Sequence, residues 1–259
     1  MADSTGTIII PHGHFVPKCH FLLIFLVGLI AFAGFAGCSK ERTDYKSYYF
    51  PIEQCADGMV YIYDPVDQLG HGREIWFLKS EPSDSGWVLR TRIYDSSKTL
   101  VQEVTEMEVG NGTIARSYAF FTRDTADQLV TVPLQIQRAN LFPYDIGDTS
   151  LLYTFVVSYK EPGDTSLTTT LTRQRRYKGR DEILLPDGTH KSLVFALKEK
   201  MENEGVGFLT LEFEGEEVYA KDIGLAAWQK VQAPGDTVAY YLQQRLTLKE
   251  FTTQFGILE

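Results

Sequence analysis

Few side chains in this chain have both the type and the spacing that chemistry needs. There are three cysteines, Cys19, Cys38 and Cys55, and five histidines, of which only His71 and His190 lie beyond the first forty residues. A zinc site needs three or four ligands, two of them usually close in sequence. His71 in Gly70-His-Gly72 and His190 after Pro186-Asp-Gly-Thr189 belong to no His-Glu-x-x-His or Cys-x-x-Cys pattern, so both read as surface histidines. No Gly-x-Ser-x-Gly elbow is present, and a lone Cys55 is more simply a small buried hydrophobe than a nucleophile. The run Glu212-Phe-Glu-Gly-Glu-Glu217 could offer the facing carboxyl groups of a glycosidase. It is more simply the wet face and turn of a hairpin. Asp145 and Asp148 are too few for a calcium loop. No catalytic residue, metal ligand or cofactor is therefore expected. One stretch stands out: Thr172-Arg-Gln-Arg-Arg-Tyr-Lys-Gly-Arg180 holds five basic residues in an acidic chain. On a strand, Arg173, Arg175 and Tyr177 share one face and Arg176 and Lys178 the other. These residues either bind phosphate headgroups, an acidic polysaccharide or an acidic partner, or pair with glutamates on neighbouring strands such as 197–204 or 212–217.

Cys38 has a different setting. It ends the apolar run Phe21–Gly37, which as a helix would be about 25 Å long, short of the roughly 30 Å hydrocarbon core. Side chains shrink toward its end, as a peptidase site requires. Lys18, His12, His14 and His20 precede or open it. Phe35-Ala36-Gly37-Cys38 resembles the lipobox of bacterial lipoproteins, departing from it at Phe35, where Leu is usual. The resemblance implies a signal peptide over 1–37, diacylglycerol on the Cys38 thiol, and a further acyl chain such as palmitate on the freed amine. Two or more acyl chains anchor stably, at about 0.8 kcal/mol per buried CH₂. An uncleaved signal anchor and a conventional signal peptide are the alternatives. The polar residues from Ser39 onward read as a tether over 38–47. Because many lipoproteins retained in the inner membrane carry Asp after the cysteine, Ser39 points to the outer membrane of a Gram-negative envelope.

The bulk composition limits the rest. Net charge is −9, and the leader's Asp3 and Lys18 cancel, so the mature part is equally acidic. That argues against a nucleic-acid partner, and against a membrane held by charge alone. With Cys38 acylated, Cys55 has no partner within the mature chain, so no disulfide framework is available.

Period-two alternation dominates the mature chain. Leu89 and Ile93 oppose Arg90 and Arg92; Leu193, Phe195 and Leu197 align; Leu209, Leu211 and Phe213 oppose Thr210, Glu212 and Glu214. Such alternation means one buried and one wet face, as in antiparallel sheets. Turn signals at Ser85-Gly86, Gly110-Asn-Gly112, Pro186-Asp-Gly188 and elsewhere delimit thirteen predicted strands: 58–63, 73–80, 87–95, 99–108, 113–121, 129–137, 151–160, 167–179, 190–200, 206–214, 217–221, 226–231 and 237–246. A short helix is expected within Leu246–Phe255. Ala139–Asp148 reads as a loop, and a seam within the domain 48–259 is expected near 139–150.

The segment Val218-Tyr-Ala-Lys-Asp-Ile-Gly-Leu225, followed by Trp228, resembles the closing hairpin of exported bacterial proteins with a strongly curved antiparallel sheet. That sheet is similar to the half-barrel of LolA/LolB-type lipoprotein and lipid carriers. Tyr49-Phe-Pro-Ile52 and Thr168–Arg173 share the likeness. The resemblance implies an all-β fold, a strongly curved antiparallel sheet or half-barrel with two packed sub-sheets as a variant, whose concave face takes a lipid or lipoprotein ligand. Three functions stay open: a non-enzymatic, lipid-anchored envelope protein that binds an apolar ligand or serves an envelope assembly; a scaffold using exposed strand edges or the basic stretch; and an envelope hydrolase, which needs a pocket joining Cys55, His71 or His190 to a carboxylate.

Overall fold

A computed structural model describes residues 45–66, 71–124, 126–147, 151–205, 207–233 and 236–258. Leader 1–37, Cys38 and the first part of the tether lie outside the described residues. Residues Thr43–Glu259 make one compact unit. Its strands are β1 Met59–Pro65, β2 Glu74–Ser83, β3 Gly86–Tyr94, β4 Leu100–Val109, β5 Gly112–Arg123, β6 Leu129–Pro133, β7 Gln135–Pro143, β8 Leu152–Glu161, β9 Asp164–Leu185, β10 Gly188–Glu204, β11 Phe208–Ala220, β12 Gly224–Ala233 and β13 Asp236–Thr247. Two 3₁₀ turns, Lys46–Tyr48 and Ile52–Cys55, precede them, and helix α1, Leu248–Phe255, follows.

The alternation in the sequence is the alternation of the sheet. In β3, Leu89, Thr91 and Ile93 point inward and Arg90 outward; in β10, Leu193, Phe195 and Leu197 are buried. Predicted strands 206–214 and 217–221 are one strand, β11, because β10 pairs with it without interruption through Gly215. Predicted strand 129–137 is two, broken at Leu134. Residues 139–143, expected in a loop, are the end of β7, where Ala139 pairs with Phe155. The two strands flanking the expected seam, β7 and β8, are thus neighbours.

The half-barrel expectation needs correction, because the sheet closes. There is one sheet, in the order β4-β3-β2-β1-β13-β12-β11-β10-β9-β8-β7-β5, and β4 and β5 pair to complete a twelve-strand ring, with β6 extending the upper part of β5. Register shifts interrupt nine of the thirteen ladders. Each such shift bends a strand and sharpens its twist, which is how a sheet of this size curls far enough to meet itself. At the join, Gly112 pairs with Pro143, and a Cβ on Gly112 would lie 2.2 Å from the Phe142 carbonyl oxygen. Only glycine fits that crossing.

The strands run up and down, so the connections divide between two ends. The lower end carries turns 83–86, 109–112, 185–188 and 220–224, the start of β1 and the end of β13. The upper end carries 94–100, 161–164 and 204–208. Helix α1 lies outside the ring: Phe251 is fully buried against Val60, Ile62, Ile75 and Tyr94. Thr247 and Glu250 cap each other's backbone N–H groups at the helix start.

Candidate functional site

The lower mouth is closed by the chain's own N-terminal segment. Tyr45, Tyr48, Tyr49, Phe50, Ile52 and Cys55 are buried in a core shared with Tyr61, Tyr63, Phe142, Phe195 and Tyr219. The segment is tied at both flanks: the Asp222 N–H donates to the Ser47 carbonyl at 2.6 Å, and Ser80 Oγ donates to the Ile52 carbonyl at 2.5 Å. Gly224, in the expected corner, has φ +102°, and a Cβ there would lie 2.5 Å from the Phe50 ring. The corner needs glycine both for its backbone and for the plug. Tyr61 and Tyr63 hydroxyls donate to the Ile223 and Leu225 carbonyls, each at 2.8 Å, pinning that corner to β1.

Above the plug lies a layer of buried charge. Arg175 donates twice to Glu217, at 2.5 and 3.0 Å, and once to the Leu141 carbonyl at 3.0 Å. Tyr219 Oη donates to the same carboxylate at 3.0 Å. Tyr49 Oη donates to Glu106. One storey higher, Glu199 accepts from Arg173 at 2.5 Å and pairs with Lys230. A chamber of only about 90 Å³ separates these groups, lined among others by Thr91, Glu106, Tyr118, Arg173, Arg175 and Glu217. Pockets that take drug-sized ligands run to about 300–1,000 Å³. Among the described residues, the lower part of the concave face expected to hold an apolar ligand is filled. A larger groove of about 320 Å³ lies beside the plug, where the chain enters, between Lys46, Ile52, Trp87 and Glu108.

The charges are held by each other. Burial opposes ionisation of Glu217, but the Arg175 guanidinium, and Arg173 behind it, overcome it and hold the carboxyl below its ordinary range. Glu199 behaves likewise: burial raises it, and Arg173 and Lys230 outweigh burial and bring it to about 2. Glu106 differs. Burial dominates and raises its pKa, despite the hydrogen bond from Tyr49. Burial also pushes the Cys55 thiol up to about 12, although Arg245 opposes it. Cys55 is therefore a protonated thiol inside the plug, hydrogen-bonded to the Pro51 carbonyl at 3.5 Å. His190 lies at the β9–β10 turn, 2.8 Å from Asp187, and His71 is in the β1–β2 connection at the other end. The three are not brought together. Among the described residues no group of three or more His, Cys, Asp or Glu could hold a metal ion.

The basic stretch divides between the two faces of β9. Arg173 and Arg175 turn into the lumen; Arg176 is exposed, and Lys178 is on the outside, paired with Glu216. The partners come from the two stretches expected to supply them, Glu199 from 197–204 and Glu216 and Glu217 from 212–217. Glu106 and Lys230 carry no such mark in the sequence. The legible signal is a charged residue interrupting an apolar period-two row, as Glu199 does after Leu193, Phe195 and Leu197.

The upper end is unlike the lower. β11 pairs with β10 along its whole length, but with β12 only from Glu214 onward. Along Phe208–Phe213 its second edge therefore has no strand beside it among the described residues. Leu209 and Leu211 oppose Asn203 and Met201 in the row that leads down to Glu199. They lie on the lumen face and are still 58% and 42% exposed.

No family model matches the chain, and no curated protein does. Two crystal structures do. One is a protein inferred to be a lipoprotein from Parabacteroides distasonis, 14% identical over 76% of this chain and 97% of that one, with a TM-score of 0.49. The other is a protein inferred to be exported, with a YmcC-like fold, from Bacteroides fragilis, 12% identical over 76% of this chain and 98% of that one, with a TM-score of 0.50. At these identities the likeness is one of fold.

Proposed function

We propose that this chain is a non-enzymatic accessory protein of the cell envelope, anchored in the outer membrane by lipid on Cys38, which presents a closed barrel to an envelope partner. The observation that carries this reading is the filling of the lower lumen. A lipid or lipoprotein carrier of the half-barrel type needs a concave cavity; here aromatic side chains from Tyr45–Cys55 and the Arg175–Glu217 layer occupy that space. The lipobox-like run before Cys38 supports the anchor, and the Bacteroides fragilis protein of similar fold is itself described as exported. The acidic chain gains little from anionic headgroups, so acyl chains supply the attachment. The plugged mouth is where the chain enters from Cys38, and the other end is left for contacts. A binding role for the basic stretch narrows from Arg173, Arg175, Arg176 and Lys178 to its outward members, Arg176 and Lys178.

Delipidated protein titrated with a fluorescent fatty acid tests the reading against the carrier. No saturable binding is expected; stoichiometric binding would restore the carrier. In parallel, Cys38→Ser should abolish labelling by palmitate and release the protein from membranes. Unchanged membrane retention without label would remove the anchor from the account.

A further inference from the structure

We infer that the unpaired edge of β11, Phe208–Phe213, is a docking site for an extended strand whose residues alternate apolar and basic. This rests on the reading of the protein as a partner-binding barrel, and names the partner's chemistry. β12 pairs with β11 no higher than the Glu214–Val231 pair and ends at Ala233, so among the described residues the upper part of β11 has no strand paired on that side. An antiparallel edge presents backbone donors and acceptors along its length, and protein edges of this kind are ordinarily blunted by charges, proline or a covering element. The row facing the lumen here is Leu209, Leu211 and Phe213, without proline or an inward charge. A strand added to this edge would place alternate side chains against that row and the rest against the outer face.

The outer face decides the sign of the partner. Thr210, Glu212 and Glu214 of β11 lie there beside Lys198, Lys200, Glu202 and Glu204 of β10. Lys198 pairs with Glu212 and Lys200 with Glu202, at 2.9 and 2.7 Å. The patch holds four carboxylates against two ammonium groups, an excess that Lys or Arg on the incoming strand would match. A second copy of this chain suits the edge less well, because a twofold pairing of β11 with itself brings Glu212 and Glu214 of both copies onto one face. Just below this edge, where β12 still pairs with β11 at Gly215, Lys230 spans between Glu199 and the Phe213 ring, 4.8 Å from the ring centroid.

The test uses the mature protein and an acetylated peptide of alternating valine and lysine, about eight residues long, enough to span Phe208–Phe213 at about 3.3 Å per residue. The peptide should bind saturably and slow hydrogen exchange at amides within 208–213. Leu211→Lys, at an exposed position, should weaken it at least tenfold. Glu212→Lys should weaken it and favour a valine–glutamate peptide instead. The inference is overturned if the peptide does not bind, if Leu211→Lys leaves its affinity unchanged, or if the protein is a dimer that Leu211→Lys dissolves. Loss of this inference leaves the partner-binding reading standing if a cross-linked envelope partner persists in Leu211→Lys. If fatty acid binds stoichiometrically instead, that reading falls as well.

Discussion

The two ends of the barrel are built on opposite terms. At the lower end a segment with no strand of its own supplies six buried side chains from Tyr45 to Cys55, and hydroxyls of Tyr61 and Tyr63 satisfy the carbonyls of Ile223 and Leu225. At the upper end one strand edge, Phe208–Phe213, has no partner among the described residues, and its lumen-facing leucines meet solvent. Backbone groups without partners are costly when dry and cheap when wet. The unpaired edge is therefore tolerable only because it is open to water, and it can be covered by another chain without repacking. The plug has no such freedom, since moving it would expose Phe50 and Tyr49 and strip Glu106 of its tyrosine.

Substitutions should separate the ends by size of effect. The largest belongs to the charge layer just above the plug. Glu217→Ala leaves Arg175 buried without its carboxylate, and denaturant unfolding should show a loss of about 3–5 kcal/mol. Replacing both Arg175 and Glu217 by apolar residues of similar volume should cost far less, and a double-mutant cycle would show it. Phe50→Ala should cost about 3–5 kcal/mol in the same assay, by opening a cavity against Tyr61 and the Gly224 corner.

Acid should act on the layer in a defined window. Glu199 is depressed from 4.5 to about 2. A depressed carboxyl contributes stability that is present above its unfolded pKa and lost as pH falls through the folded one. Stability should therefore drop between about pH 4.5 and pH 2, by on the order of 3 kcal/mol for this group. Glu217 adds in the same direction. Glu106, which is raised, contributes with the opposite sign, favouring the fold below its unfolded pKa and losing that contribution as pH rises through the folded value. Glu199→Gln should flatten the acid limb; an unchanged limb would mean that other carboxylates carry it. The smallest stability effect belongs to the upper end. Leu211→Lys should shift unfolding by no more than about 0.5 kcal/mol, while removing strand docking. A loss as large as that of Phe50→Ala would mean that the edge is core.

The strands were legible because each has a wet face and a buried face. The bounds of β3 and β4 follow from that pattern almost residue for residue. Closure was not legible. It depends on β1 pairing with β13, the first strand with the last, and on β5 reaching past β6 to β7 at Gly112–Ile114, contacts between distant segments that leave no local mark beyond one glycine. Residues 139–143 looked like a loop because Pro143 follows Phe142, yet proline is tolerated at a strand's end. The basic stretch was visible as charge but ambiguous in use: alternation placed Arg173 and Arg175 on one face, and only the closed ring makes that face the inside. Tyr45 and Tyr48 read as tether and strand lead-in, because aromatic residues without periodicity do not reveal what they fill.

Native-state hydrogen exchange across the whole barrel tests the contrast between the ends most directly. Amides of β1 and of the Gly224 corner should exchange only through global unfolding, whereas alternate amides of Phe208–Phe213 should exchange orders of magnitude faster, those facing β10 being protected. Uniform protection along β11, equal to that at the plug, would show that its second edge is already covered, and would contradict the account.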